Sequence, residues 1–235
     1  QVNAFIPEEY WTLDACLTEE KSKKEIVVKY KDTISNKEQL DQIMKDLEKA
    51  EFQIVSIKNG ERAKKAPLPF TTSTLQQEAS KVLNFSTSKT MRLAQQLYEG
   101  IDIKGNGTVG VITYLRTDSV RVSEEAAAAA KAYIEETYGA QYVGSPVQSA
   151  KKNGKVQDAH EAIRPTDIRL TPAALKESLS RDQFRLYQLI WKRFTASRMA
   201  GAVYETVNVR IDAAGYPFSA SASRLKFDGF LSVYT

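Results

Sequence analysis

The stretch at residues 112–119 combines a tyrosine with an arginine two positions later. It runs Ile-Thr-Tyr-Leu-Arg-Thr-Asp-Ser, so Tyr114 ends an apolar run and Arg116 lies in the polar, charged cluster that follows. A tyrosine hydroxyl can attack a phosphodiester and keep the broken bond as a phosphotyrosyl ester, which can be resealed without ATP. This pair is therefore the first candidate for covalent phosphoryl-transfer chemistry.

The attack by a tyrosine needs help because a phenol has a pKa of about 10. A cation lowers the cost of the phenolate, and hydrogen-bond donors neutralise charge on the phosphate oxygens. The apolar run at 109–114 predicts a strand, and residues two apart on a strand point to the same side. Tyr114 and Arg116 are thus expected to meet one phosphate, although among 11 tyrosines a structural role for Tyr114 stays open.

His160 is the only histidine of the chain, and Glu161 and Arg164 follow it closely. The pattern predicts that this region leads from a loop into a helix. A histidine cation can bind a phosphate or donate a proton, whereas a structural hydrogen-bond donor is the competing interpretation. Because Cys16 is the only cysteine, the sequence offers neither a disulfide framework nor a zinc cluster, and we expect no metal site in this chain.

The composition is that of an ordinary globular protein with room for two domains. The chain has 235 residues, of which 42% are hydrophobic and 26% charged, and no apolar run approaches the roughly 20 residues that a membrane span needs. The net charge of +4 and the pI of 8.9 permit nucleic-acid binding without requiring it. A single cysteine favours a reducing compartment, and an opening Gln1 rather than methionine predicts a piece of a longer protein.

The elements that would position these residues fall into three parts. Residues 1–66 predict strands and one amphipathic helix, and residues 67–201 predict mainly helices. Residues 202–235 return to alternating strands. The predicted fold class is therefore α+β: a β-rich domain formed from two separated segments, with a mostly helical domain inserted between them.

Two local signals delimit elements within the first part. Ser35 and Glu38 form a capping box at the start of the amphipathic helix. Asn59-Gly60 is expected to end the strand that begins near Phe52.

A helix-turn-helix pair opens the predicted helical domain. Thr72 or Thr74 caps its first helix, residues 84–87 interrupt the pattern, and the second helix ends at Gly100. Such a pair can present its second helix to DNA. A later helix at 181–198 carries arginines and lysines beside an aromatic stripe, and its cationic face could meet either phosphates or plain solvent.

Three stretches together resemble the bacterial topoisomerase I branch of the type IA DNA topoisomerases, in order and at family-like spacing. They are residues 69–77 (Pro-Phe-Thr-Thr-Ser-Thr-Leu-Gln-Gln), 112–119, and 159–166 (Ala-His-Glu-Ala-Ile-Arg-Pro-Thr). The resemblance continues through residues 187–191 and 227–230, so it covers nearly the whole chain. Leu115 stands where many relatives have methionine, which is a conservative apolar exchange.

The resemblance implies a role for each matched residue. Tyr114 is expected to form the 5′-phosphotyrosyl link, Arg116 to position the scissile phosphate, and His160 to assist nearby. The positions expected to support the site or the DNA are Thr117, Asp118 and Arg164.

The resemblance also implies a function for the chain as a whole. It corresponds to the gate portion of an ATP-independent isomerase, which cleaves and religates one DNA strand while the helical domain lifts on a β-rich hinge, and so relaxes negative supercoils. The expected partners are single-stranded DNA and negatively supercoiled DNA, in the cytoplasm at the bacterial nucleoid. No membrane and no small-molecule cofactor are expected.

The family builds its active site jointly with an acidic Toprim domain that binds Mg²⁺. The resemblance places that domain outside this chain, so Mg²⁺ is expected only in the full enzyme, and the chain alone is predicted not to relax DNA. Two other hypotheses remain open. One is a non-enzymatic helix-turn-helix module that binds nucleic acid, and the other is a tyrosine recombinase, which would need several arginines and histidines around its tyrosine.

Overall fold

A computed structural model of the chain contains both helices and an antiparallel sheet, which confirms the α+β class. The structure describes residues 10–18, 23–103, 105, 107–145 and 160–235.

The chain folds as two compact units. One consists of Gln1–Arg62 with Tyr204–Lys226, and the other of Ala63–Val203 with Phe227–Thr235. The sequence-based boundaries after residues 66 and 201 stay predictions.

The first unit is built on a five-stranded sheet in the order β1-β2-β7-β6-β3. Strands β1 and β2 pair antiparallel, and the short turn Ala214-Gly215 joins β6 to β7 with positive φ at both residues. Helix α1 (Lys37–Leu47) buries Ile43. The strands are β1 (Asp14–Thr18), β2 (Glu25–Tyr30), β3 (Gln53–Lys64), β6 (Ala202–Ala213) and β7 (Tyr216–Phe227).

Two local predictions in this unit are wrong. Helix α1 is capped by Asn36, whose side chain accepts a hydrogen bond from Gln39 N at 2.8 Å, and not by Ser35. Strand β3 continues through Asn59-Gly60 to Lys64, and Gly60 does not adopt the positive φ of the hairpin turns that Asn-Gly favours.

The second unit is mainly helical. Strands β4 and β5 form a short antiparallel hairpin within it. Its elements are α2 (Thr72–Leu83), α3 (Thr87–Glu99), β4 (Ile101–Ile103), β5 (Gly107–Val109), α4 (Glu124–Tyr138), α5 (Pro172–Leu175) and α6 (Arg181–Ser197).

Helices α2 and α3 form the predicted helix-turn-helix pair. The cap of α2 is Thr71 rather than Thr72 or Thr74, and Thr71 and Thr74 complete a capping box. Asn84 ends α2 in the left-handed conformation, and Gly100 ends α3 as predicted.

Helix α6 supplies the centre of this unit through its aromatic stripe. Tyr187 and Trp191 are buried, and each donates a side-chain hydrogen bond to a loop carbonyl, Leu170 O at 2.5 Å and Ile168 O at 2.8 Å. Burial raises the pKa of the Tyr187 phenol, so its hydroxyl stays a donor over a wide pH range. The stripe predicted from the sequence is therefore a packing surface.

The chain end, Phe227–Thr235, groups with the helical unit. Phe230 is buried there, and the Tyr234 hydroxyl lies 3.1 Å from both Arg193 Nη1 and Glu78 Oε1. Phe230 is almost fully covered and Tyr234 partly buried, so this end adds apolar burial to the helical unit.

None of the helices in the described residues has the length and apolar character needed to cross a membrane. The sequence also predicts a polar loop at about residues 145–155. After Ser145 this loop falls outside the described residues, as does Ala159 of the stretch at 159–166.

Candidate active site

The segment that carries the tyrosine leaves the hairpin where β5 ends, so the strand predicted over 109–114 is wrong. Gly110 lies against the end of α3, where an added Cβ would stand 2.5 Å from Tyr98 O. Val111 N then donates to Leu97 O at 2.8 Å. The backbone here pairs with a helix end instead of a strand, and only glycine permits the close approach.

A second segment, at residues 162–166, runs beside the tyrosine segment. Thr113 N donates to Arg164 O at 2.9 Å, and the Thr113 hydroxyl donates to Ala162 O at 2.7 Å. Arg164 N returns a hydrogen bond to that hydroxyl at 2.9 Å. The helix predicted to begin near His160 is therefore replaced by extended chain, because these backbone groups bond across to Thr113.

The start of helix α2 holds the other end of the tyrosine segment. Thr72 N donates to Thr117 O at 2.9 Å, while the Thr72 hydroxyl donates to Leu115 O at 2.7 Å and accepts from Thr117 N at 2.9 Å. Ile163 N donates to Phe70 O at 2.8 Å. The three stretches that carry the sequence resemblance are thus hydrogen-bonded to one another.

Side chains alternate between exposed and buried along residues 114–119. Leu115, Thr117 and Ser119 are buried, and Tyr114, Arg116 and Asp118 are exposed. The alternation expected from a strand therefore exists without a strand partner, since it requires only extended backbone. The Tyr114 phenol and the Arg116 guanidinium are both accessible to an anionic ligand.

Tyr114 lies in contact with two other rings. Its ring centroid is 5.5 Å from that of Tyr98 in an edge-to-face arrangement and 5.4 Å from that of His160 at an interplanar angle of 33°. Tyr114 is 39% exposed, and within the described residues no hydrogen bond involves its hydroxyl. The structure thus places His160 in ring contact with the tyrosine, and no group among the described residues forms a hydrogen bond with the phenol oxygen.

The four remaining predicted residues occupy different environments. Among the described residues, the side chains of Arg116 and Asp118 form no ion pair and contact neither Tyr114 nor His160 through a hydrogen bond. Thr117 is buried and its hydroxyl accepts from Ser119 N at 3.0 Å. Thr117 therefore stabilises the backbone of the tyrosine segment from its buried side.

Arg164 is a structural cross-link in this structure. Its Nη2 lies 2.6 Å from Glu161 Oε2, its Nη1 donates to Pro165 O at 3.0 Å, and Nη2 reaches Ser123 Oγ at 3.4 Å. Ser123 caps helix α4. These contacts use most of the guanidinium donors and leave little of the planar fork free for a phosphate.

The described residues offer no fit for Mg²⁺. No group of three or more His, Cys, Asp or Glu residues among them lies close enough to hold a metal ion. Asp118 is exposed and belongs to no such group, and the Glu161 carboxylate forms an ion pair with Arg164. Mg²⁺ prefers oxygen ligands in near-octahedral geometry, so no chemical step in this chain's own residues is assigned to it.

Sequence reasoning missed two residues of this site, Thr72 and Tyr98. The sequence pattern predicts Thr72 only as a helix cap, whereas its hydroxyl bonds to the tyrosine segment 43 and 45 residues away. Tyr98 lies near the end of a helix, and no short-range pattern indicates that it meets Tyr114. The one available signal was Gly110, whose place between them indicates close backbone approach.

Comparison with known proteins agrees with this geometry. A family model described as DNA topoisomerase matches residues 1–235. The crystal structure of full-length topoisomerase I from Thermotoga maritima, in a monoclinic form, matches with a TM-score of 0.79 and 35% sequence identity. The match covers 100% of this chain and 37% of that chain, so this chain spans well under half the length of that enzyme. The chain belongs to the type IA DNA topoisomerase family.

Proposed function

We propose that this chain is the strand-passage gate of a type IA topoisomerase and that Tyr114 is its nucleophile. The Tyr114 hydroxyl oxygen attacks a phosphorus of one DNA strand and forms a P–O bond to the 5′ phosphate. The bond from phosphorus to the 3′ oxygen breaks, and that oxygen leaves as a hydroxyl while the phenol loses its proton. The reverse transfer reseals the strand, and because the number of phosphoester bonds is unchanged, no ATP is consumed.

The observation that carries this proposal is the state of Tyr114 itself. Most structural tyrosines bury the ring and bond the hydroxyl, as Tyr187 does with Leu170 O. Tyr114 is instead 39% exposed, has no hydrogen-bond partner among the described residues, and lies on a segment held by Thr72 and Thr113. A fixed segment with a free hydroxyl is what a nucleophile requires.

The neighbouring residues take supporting roles. Arg116 positions the scissile phosphate and offsets its charge, and His160, in ring contact with Tyr114, assists as a cation or proton donor. Thr117, Asp118 and Arg164 support the segment or the DNA, Thr117 and Arg164 through the contacts described above.

In the complete enzyme, the substrates are single-stranded and negatively supercoiled DNA, and the β-rich domain acts as the hinge on which the helical domain lifts. We place Mg²⁺ in a Toprim domain supplied by sequence outside this chain, so the chain alone does not relax DNA. The setting is the cytoplasm, at the bacterial nucleoid.

Replacing Tyr114 with phenylalanine in the complete enzyme tests the proposal. The change removes one oxygen that forms no hydrogen bond with a described residue, so the variant should fold like the wild-type enzyme. Its dissociation constant for DNA should change by less than about twofold, while covalent adducts disappear. An oligonucleotide labelled at its 3′ end should remain on the wild-type protein in SDS, and one labelled at its 5′ end should not, because the link is to the 5′ phosphate. Tyr10→Phe, at an exposed tyrosine of the β-rich unit, is the matched control.

Each alternative function gives a different result in this assay. Undiminished adduct formation by Tyr114→Phe would remove Tyr114 from the mechanism. Retention of the 5′ label would indicate a 3′-phosphotyrosyl link, as a tyrosine recombinase forms. Sequence-specific duplex binding without any adduct would favour the plain helix-turn-helix module.

A further inference from the structure

Tyr98, in the last turn of helix α3, is an exposed aromatic residue directly beside the proposed nucleophile. It is 39% exposed, and its hydroxyl has no hydrogen-bond partner among the described residues. Its ring meets that of Tyr114 edge to face, with centroids 5.5 Å apart and planes at 65°. On the same turn Leu97 is fully buried, so α3 is anchored at this point.

The backbone fixes the spacing of the two tyrosines. Val111 N donates to Leu97 O at 2.8 Å, and Gly110 approaches so closely that an added Cβ would lie 2.5 Å from Tyr98 O. The helix end and the tyrosine segment are therefore in close backbone contact three and four residues before Tyr114. An exposed side chain on a mobile loop would lack this backbone constraint.

Among the described residues, the side chain of Tyr114 forms two ring contacts and no hydrogen bond. No described side chain holds its hydroxyl, and the two ring neighbours are Tyr98 and His160. An exposed tyrosine can otherwise rotate among staggered rotamers, and only one of them aims the oxygen at a given phosphate. A nucleophile held in its attacking rotamer reacts faster because it has less orientation to lose in the transition state.

We propose that Tyr98 is a positioning residue that holds the ring of Tyr114 in its attacking orientation. This inference rests on the proposed function of Tyr114 as nucleophile. The ring, and not the hydroxyl, of Tyr98 carries the effect, so phenylalanine substitutes for it and alanine does not. Loss of one edge-to-face contact is expected to slow cleavage by roughly threefold to tenfold.

The test measures the cleavage rate constant at saturating single-stranded oligonucleotide in the complete enzyme. Tyr98→Ala should lower that rate constant, Tyr98→Phe should restore it, and the oligonucleotide dissociation constant should change by less than about twofold. Tyr10→Ala removes an exposed tyrosine elsewhere and serves as the control. A DNA-contacting role would instead change the dissociation constant.

A second measurement uses this chain without DNA. With tyrosine rings labelled with ¹³C, the resonances lost in Tyr114→Phe identify Tyr114, and an NOE between the two rings reports their contact. Tyr98→Ala should shift and average the Tyr114 resonances, whereas Tyr98→Phe should leave the ring contact in place.

The outcomes separate the two proposals. If Tyr114→Phe abolishes the adduct but Tyr98→Ala cleaves at the wild-type rate, only the role of Tyr98 is overturned. A weaker affinity with an unchanged saturated rate also overturns it, since Tyr98 would then contact DNA. If Tyr114→Phe still forms the adduct, both proposals fall.

Discussion

At the residue scale, the buried and the exposed side chains of residues 114–119 have different functions. The buried side chains of Leu115 and Thr117 fix the segment on the helical unit, and the exposed ones of Tyr114 and Arg116 keep their polar ends available. Arg164 is the contrast, because its guanidinium is committed to Glu161 and to backbone oxygen. An arginine already paired with a carboxylate has little left to offer a phosphate.

Arg116→Ala should weaken binding of single-stranded DNA by the chain and reduce its salt dependence. If Arg116 neutralises one phosphate, the slope of log affinity against log salt should become shallower by about 0.7. Titrations of a fluorescent oligonucleotide at several salt concentrations measure both quantities.

Two further variants make this test specific. Arg116→Lys should keep much of the affinity but lose cleavage in the complete enzyme, because an ammonium cannot form the planar two-point contact of a guanidinium. Arg92→Ala, at an exposed arginine of helix α3, should have less effect than Arg116→Ala. A larger effect at Arg92 would support DNA binding by the helix-turn-helix instead.

Part of this residue-scale picture could be predicted from the sequence. The polar cluster after an apolar run indicated accessible side chains, and the alternation of exposure at 114–119 follows from extended backbone alone. The sequence could not show that Arg164 pairs with Glu161 and is not free. Both residues are charged, and only the folded backbone brings their side chains together.

At the scale of elements, one hydroxyl joins helix α2 to the tyrosine segment. Thr72 donates to Leu115 O and accepts from Thr117 N, on either side of Arg116. Its own backbone N–H donates to Thr117 O at 2.9 Å. The first N–H groups of a helix have no partner within the helix, and here one of them is satisfied by the tyrosine segment. The position of α2 therefore determines where the exposed side chains point.

Thr72→Val should destabilise the helical unit by about 1–3 kcal/mol, because it leaves the partly buried Leu115 O and Thr117 N without this partner. Chemical denaturation followed by fluorescence of the buried Trp191 measures the change in that unit. A Trp11→Phe background removes the other tryptophan of the chain.

The control is Thr87→Val at an exposed position of α3, which should change stability by less than about 0.5 kcal/mol. Equal stability of the Thr72 and Thr87 variants would mean that the Thr72 contacts contribute nothing. Slower cleavage by Thr72→Val in the complete enzyme would connect this contact to the site.

The elements that the sequence predicted well are the long periodic ones. Helix α3 ends at the predicted Gly100, and α6 nearly fills the predicted range 181–198, since a cap and a repeat of 3.6 residues are both local. The errors at 109–114 and near His160 concern short segments whose hydrogen-bond partners are far away in sequence. Thr113, for example, bonds to Ala162, 49 residues later.

At the scale of the whole molecule, the chain passes between its two units three times, after Arg62, Val203 and Lys226. The first two passages enter and leave the inserted helical unit. The sequence indicates both, because its pattern changes from strand to helix and back to strand. The third was not predictable from periodicity, because the aromatic residues after Phe227 are too few to form a pattern. The hydrogen bonds of the Tyr234 hydroxyl to Arg193 and Glu78 join residues that are far apart in sequence.

The last prediction concerns metal and activity in the chain alone. Purified chain should not relax supercoiled DNA, and millimolar Mg²⁺ should neither rescue activity nor raise the melting temperature. Among the described residues no carboxylate cluster fits the ion. An ion that binds only the native state at a hundred times its dissociation constant adds about 2.7 kcal/mol, which raises the melting temperature of a chain of this size by several degrees. Melting curves with Mg²⁺, with K⁺ at matched ionic strength, and with a chelator measure that shift for the whole chain. An increase specific to Mg²⁺ that grows with the logarithm of its concentration, or relaxation by the chain itself, would place a metal site within this sequence and contradict its assignment to a Toprim domain.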